Sequence, residues 1–233
     1  MNTELERLER KLNTAIRWNR TLLLLGIAAV CGAFAPRGAD EILRARGLVI
    51  VDEQGRERIL IGAPIPAAKA RVRTDLEKVK QYWAPRFGPQ YLEWYADYRH
   101  DMNGMLVLDE NGFDRVALGQ DYPDPNIGQR IGRGTGLVLN DAGGFERSGY
   151  GILNVEGKDR VVLGLDSDRG TEAAVLVVRE DGSAGLSVHD GATRKQIFVG
   201  KAPKKSSNNP GDTDVFGVLF TSPEGVGKTV EGE

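Results

Sequence analysis

Few residues in this chain have the type and spacing to do chemistry. Two histidines, His100 and His189, and one cysteine, Cys31, leave little material for a zinc cage, a disulfide framework or a triad. Asp97, His100 and Asp101 could make a metal pair or an acid/base group. A histidine beside carboxylates is more commonly a surface salt bridge. "SPEGVGKT" at Ser222–Thr229 has the outline of a phosphate-binding loop, but Ser222 stands in the first glycine's place. Only four residues follow Thr229, too few for the helix whose amino-terminal dipole holds a phosphate. "GRGTG" at Gly132–Gly136 follows a loop, so it is no dinucleotide fingerprint. "DSDRGTE" at Asp166–Glu172 lacks the spacing of a calcium loop. No serine, threonine or cysteine sits in a nucleophile setting, so the expectation is no metal, no cofactor and no catalysis. A net charge of −2 argues against nucleic acid as a partner.

A different chemistry, that of contact surfaces, is concentrated in one place. Trp83, Phe87, Tyr91, Trp94, Tyr95 and Tyr98 fall within sixteen residues. They lie in a segment, residues 64–103, that reads as a helical insertion. One helix is expected over 67–82, with Val72, Leu76, Val79 and Tyr82 on a stripe. Pro85 and Pro89 break it before a second short helix over 90–99. Such rings either cap the open end of a sheet or form a binding surface for protein or glycan, in which Trp83, Trp94 and Tyr95 would lead.

The insertion interrupts a repeat. Gly55, Arg58 and Gly62 recur as Gly112, Arg115 and Gly119, as Gly144, Arg147 and Gly151, and as Gly157, Arg160 and Gly164. A looser copy holds Gly191, Arg194 and Gly200. Turns beginning at Asp52, Asp109 and Asp141 put aspartate first and glycine (Gly55, Gly112, Gly144) fourth, as a type I turn with a following left-handed glycine requires. Asn154 takes the aspartate's place before Gly157, and Ser222-Pro223-Glu224-Gly225 has the same form. Apolar runs flank each turn with a period of two, which predicts β-hairpins. Val116 and Leu118 are expected to face a core, and Arg115 to face outward near a turn carboxylate.

The phrase resembles the Asp-x-x-Gly-x-x-Arg-x-x-Leu-Gly hairpin repeats of uncharacterised bacterial membrane-anchored envelope proteins. The likeness covers most of Leu43–Gly200 apart from the insertion, and it implies architecture without an activity.

Ahead of the repeat lies "TLLLLGIAAVCGAFA", Thr21–Ala35, fifteen residues without a charge. With Trp18 in the headgroup layer and Arg20 reaching out to it, the run is just long enough to span a bilayer. The expected anchor is residues 21–36, with Leu22, Leu23, Leu24, Leu25, Ile27, Val30 and Phe34 in lipid. A cleavable signal peptide is the rival, disfavoured by the long flank before the run and by Pro36 just past the cut. Five basic residues before the run against three after it place the amino end in the cytoplasm. Residues 1–20 are expected to form an amphipathic helix with a short coiled-coil seam through Leu5, Leu8, Leu12 and Ala15 or Ile16.

The polar stretch 201–214 reads as a flexible linker, and 215–233 as a strand and tail free to pair with another chain. The expected fold is therefore mainly β. Repeated hairpins over 37–200 make a barrel, a sandwich or a solenoid-like stack, with one transmembrane helix and a helical insertion. The expected role is a single-pass inner-membrane structural or accessory subunit whose partners are the membrane, other membrane-protein subunits or further copies of itself. Its domain would lie on the periplasmic or extracellular side. The alternative is a binding module for glycan or protein through the aromatic insertion.

Overall fold

The computed structural model describes residues 2–33, 43–88, 90–122 and 132–231. The chain divides into two compact units, Met1–Arg44 and Ala45–Glu233.

Among its described residues the first unit has one helix, α1 (Asn2–Ala33). Leucine, glutamate, arginine and lysine, all good helix formers, fill Glu4–Leu12 of its first turns. Leu8, Leu12 and Ile16 recur on one stripe and are exposed. No break separates the expected amphipathic helix from the expected anchor; helix runs through both as far as Ala33. Among the described residues, no helix is long and apolar enough to cross a membrane. Arg17 and Arg20 place charge in the middle of this continuous helix, and the uncharged described stretch beyond them is short. Phe34 and Pro36 lie outside the described residues, as does the side chain of Val30.

The second unit is a twelve-stranded antiparallel sheet in which every strand pairs with the next in sequence. The strands are β1 (Gly47–Val51), β2 (Glu57–Gly62), β3 (Asn103–Leu108), β4 (Asp114–Gln120), β5 (Arg133–Asn140) and β6 (Glu146–Val155). They continue as β7 (Lys158–Asp166), β8 (Glu172–Val178), β9 (Ala184–Asp190), β10 (Lys195–Ala202), β11 (Val215–Ser222) and β12 (Gly225–Glu231). Among the described residues no pairing joins β12 back to β1, so the sheet is open rather than a closed barrel.

The aspartate turns are built alike. Asp52, Asp109 and Asp141 each accept two backbone N–H groups through Oδ1, and Gly55, Gly112 and Gly144 adopt φ of 76°, 86° and 77°. The sheet register slips by one residue at each of these turns, as a glycine bulge requires. Ser167 leads a similar turn ending at Gly170, so "DSDRGTE" joins two strands. The turn at Gly157 differs from expectation. Glu156 and Gly157, at φ of 52° and 84°, form a two-residue hairpin with no slip, and Asn154 accepts the Gly157 N–H. Arg194 also departs from the repeat: it lies in the β9–β10 turn with φ 57°.

The second glycine of the repeat has a cross-strand role. Gly47, Gly62, Gly104, Gly119, Gly136 and Gly151 pair successively from β1 to β6, and Gly185, Gly200 and Gly217 continue the row from β9 to β11. A Cβ added to Gly119, whose φ is 148°, would stand 2.0 Å from the Asn103 carbonyl oxygen of the paired strand. Backbone occupies the place of a side chain, so no other residue fits. Gly119→Ala is expected to cost more than about 1 kcal/mol, read as a lower midpoint in urea unfolding at unchanged slope.

Register also shows which face the chain covers. One face carries the glycine row and a row running through Leu60, Leu106, Ala117 and Val138. These four are buried beneath Ile65 and Met102 from the insertion's two ends. Farther along the same face, Phe198 and Leu219 pack on Ala202 and Val215. The opposite face holds Leu48, Ile61, Met105, Leu118, Leu137 and Tyr150 in one row, continued by Leu163, Leu176, Leu186, Val199 and Val218. Leu118 is 46% exposed and Leu176 54%, against 0% for Leu60 and Leu106. The expectation that Val116 and Leu118 face a core is therefore reversed. Their face is open, and the chain lays its own cover on the Ala117 face.

The segment expected to be a flexible linker is folded. Lys201 and Ala202 complete β10, and the loop after them closes on Asn209, whose side-chain amide donates to the Ala202 and Thr213 carbonyls at 3.1 and 2.8 Å. Ser207 N–H donates to Asp181 at 2.7 Å. β11 then pairs with β10 of its own chain rather than standing free for exchange.

Candidate functional site

The insertion leaves β2 at one end of the strands, crosses the glycine face and packs its helices on the hairpin turns at the other end. Val72 N–H donates to the Gly112 carbonyl at 2.9 Å, tying the crossing segment to the Asp109 turn. A 3-10 turn follows at Val72–Thr74, then α2 (Leu76–Tyr82), α3 (Ala84–Phe87) and α4 (Tyr91–Ala96). Helix thus begins later than the expected residue 67 and ends before residue 99. Asp75 caps α2 by accepting the Glu77 and Lys78 N–H groups, and Pro85 fits the first turn of α3, where its missing N–H is no loss.

The expected contact rings divide by burial. Trp83, Tyr91 and Tyr95 are interior, at 1%, 2% and 3% exposure, and pack with Val72, Val79 and Phe145. Phe87 stacks on Tyr91 at 4.5 Å, half-buried, and Tyr98 lies half-buried at the edge of Tyr95. Trp94 alone of the six is exposed, at 55%. A surface built on Trp83, Trp94 and Tyr95 is corrected on this ground, because two of the three rings have no face to offer. Their partners are the turn residues themselves: Trp83 Nε1 donates to the Gly143 carbonyl at 2.8 Å, with Phe113 and Phe145 against its ring.

Below the rings lies a charged cluster that composition did not reveal. Asp114, at the start of β4, accepts a two-pronged bond from Arg71 (2.9 and 2.7 Å) and a third from Arg73 Nε at 3.0 Å. All three side chains are buried. Burial alone would raise the Asp114 carboxyl, but Arg71 and Arg73 outweigh it and hold it below its ordinary value. Arg73 also lies over the Trp83 ring at 4.8 Å, and its carbonyl accepts from the Tyr95 hydroxyl at 2.9 Å. His100 packs against Tyr95 and Tyr98, so it is not the expected surface salt bridge. Burial, then the charges of Arg73 and Arg71, push its pKa down to about 3, which keeps the ring neutral. Among the described residues, no three ligating side chains cluster as a metal would need. The signal for the ionic cluster was present as Arg71 and Arg73 bracketing an apolar residue, Val72, but their partner stands some forty residues away.

The repeat's arginines act as joints between strands. Arg58 Nε donates to the Leu108 carbonyl, Arg115 Nε to that of Asn140 and Arg147 Nε to that of Asp166, each on the following strand (3.0, 3.2 and 3.2 Å). Arg58 also meets its own turn's Asp52 at 3.3 Å and the next turn's Glu110 at 3.9 Å. Arg160 instead pairs with Glu180. Asp109 and Arg115 are thus consumed in construction, while the open apolar face keeps a row of leucines and valines exposed.

No known protein family, curated protein or solved structure matches this chain.

Proposed function

We propose that this chain is a non-catalytic structural or accessory subunit of a bacterial envelope, anchored in the inner membrane by its amino-terminal helix. Its β domain lies outside the cytoplasm and works by associating with protein, either a larger membrane complex or further copies of itself. The observation that carries this reading is the row of exposed leucines and valines crossing the sheet, a surface suited to protein contact. The likeness of the hairpin phrase to those of envelope proteins supports the address. The anchor rests on the uncharged run Thr21–Ala35 and the basic residues before it.

Fractionation of cells expressing the full chain tests the reading. The full chain is expected in the membrane fraction, extracted by mild detergent and not by salt, and to purify as an oligomer or with a stoichiometric membrane protein. A chain recovered from the soluble fraction as a lone monomer refutes it.

A further inference from the structure

We infer that the open face of the sheet is the interface with a second copy of this chain, the two sheets packing face to face. This names the partner for the association proposed above, and it rests on that reading.

The face has the composition of a core. In its two central rows, from β1 to β11, every position is apolar except Ser148, and no charge occurs. The covered face is the thinner one, made largely of glycine, alanine, serine and valine along the same strands. A half-buried antiparallel sheet places its bulkier apolar side chains toward its cover. Here those side chains point to the side that the described residues leave bare: Leu163, Leu165, Leu176 and Val178 are exposed at 39%, 49%, 54% and 55%.

Size argues for a protein partner. Eleven strands about 4.8 Å apart, with two rows of side chains, make a strip of about 50 by 14 Å, or roughly 700 Å². That exceeds the roughly 300–600 Å² of the largest patch on ordinary monomers and approaches the roughly 800 Å² that each partner contributes to a stable complex.

Shape argues for the same chain. The cover must be as long and as regular as an eleven-strand row, and an identical sheet supplies that row at the same strand spacing. Two such faces related by a two-fold axis are complementary by construction, and aligned sheets pack through side chains of this kind at about 10 Å. The rim is polar where the apolar rows stop. Asp190 and Lys195 stand opposite each other at one end, and Arg133 and Asp121 are paired at 2.9 Å at the other. Apolar centre and polar rim are the anatomy of an interface. A second feature points independently to self-association: the exposed Leu8, Leu12 and Ile16 stripe of α1, spaced as a seam for a like helix.

The test uses the full chain in mild detergent, with the protein mass measured by light scattering. Wild type is expected to be a dimer or a multiple of one. Leu163→Lys with Leu176→Lys is expected to be monomeric with unchanged β circular dichroism, while Trp94→Ala stays associated. Because the double variant could fail to fold, a second measurement uses single cysteines on a Cys31→Ser background. Maleimide should label Leu176→Cys at least about tenfold more slowly than Trp94→Cys, although the two positions are equally exposed in the isolated chain, at 54% and 55%. Equal labelling rates overturn the inference, as does an oligomer that survives the sheet substitutions and is lost on Leu8→Lys with Leu12→Lys. A detergent-extracted monomer that copurifies with a different membrane protein also overturns it and leaves the proposed function standing. A soluble lone monomer removes both.

Discussion

Asp114→Ala is expected to lower folding stability by about 3–5 kcal/mol, enough to leave much of the β domain unfolded at physiological temperature. The reason is the pair of guanidinium groups it serves. Arg71 and Arg73 are 3% and 1% exposed, and Asp114 itself is 3% exposed. Three charge-assisted bonds of 2.7–3.0 Å converge on this one carboxylate. Removing it leaves two positive charges in a low-dielectric interior with their principal counter-charge gone. The loss is that of a broken cluster, not the net worth of an ion pair. Accordingly, Arg71→Met, Arg73→Met and Asp114→Leu combined are expected to cost far less than Asp114→Ala alone. Arg115→Ala serves as a contrast. Its guanidinium is 39% exposed and 4.0 Å from Asp109, so its removal costs about 1 kcal/mol or less. Urea unfolding followed by tryptophan fluorescence reads all three. A loss under about 1 kcal/mol for Asp114→Ala would show that water reaches the cluster.

The same carboxylate makes stability depend on pH in a stated direction. The folded state holds Asp114 below its ordinary value, so the unfolded chain takes up its proton first as the solution is acidified. Its contribution is whole above the unfolded aspartate pKa, near about 3.9, and is lost as pH falls from there through the folded value. Asp114→Asn removes that part of the acid dependence.

What the sequence made legible follows the range of the interactions involved. The aspartate turns could be read directly because their bonds are local: Asp109 accepts backbone N–H groups no farther along the chain than Phe113. Strand alternation was equally legible, and with it the division of Arg115 and Ala117 from Val116 and Leu118. Which of those two faces is covered was not legible, because alternation does not say where a distant segment folds back. Apolar weight favoured the Leu118 face as the core. The insertion crosses the other one, led there by Gly112, whose missing side chain leaves room for the Ala70 carbonyl. The loop after β10 shows the same limit. Its proline, serine and asparagine content is that of a linker, yet one buried asparagine, Asn209, holds two carbonyls and closes it. Composition describes what a segment can tolerate, and only the partners it meets decide whether it is ordered.

Trp83→Ala is the second large effect, expected to cost about 3–5 kcal/mol. The indole is the hub where insertion and sheet meet. Tyr95 lies edge-on at 6.1 Å, Phe113 and Phe145 stand at 6.4 and 6.1 Å, and Arg73 covers the ring at 4.8 Å. Truncation opens a cavity lined by other large rings, which cannot collapse because each is held by its own helix or turn. It also strips the Gly143 carbonyl of its donor. Trp94→Ala, a mere eleven residues on, should shift stability by no more than about 0.5 kcal/mol, since its ring is 55% exposed. The pair separates the two roles once open to the aromatic segment. A cap demands a large loss of stability at Trp83 and almost none at Trp94. A contact surface demands the opposite at Trp94: unchanged stability with loss of a partner from the purified complex. If Trp83→Ala unfolded at the same urea concentration as wild type, the helices would be resting on the sheet rather than locking it, and the insertion would again be a candidate for binding.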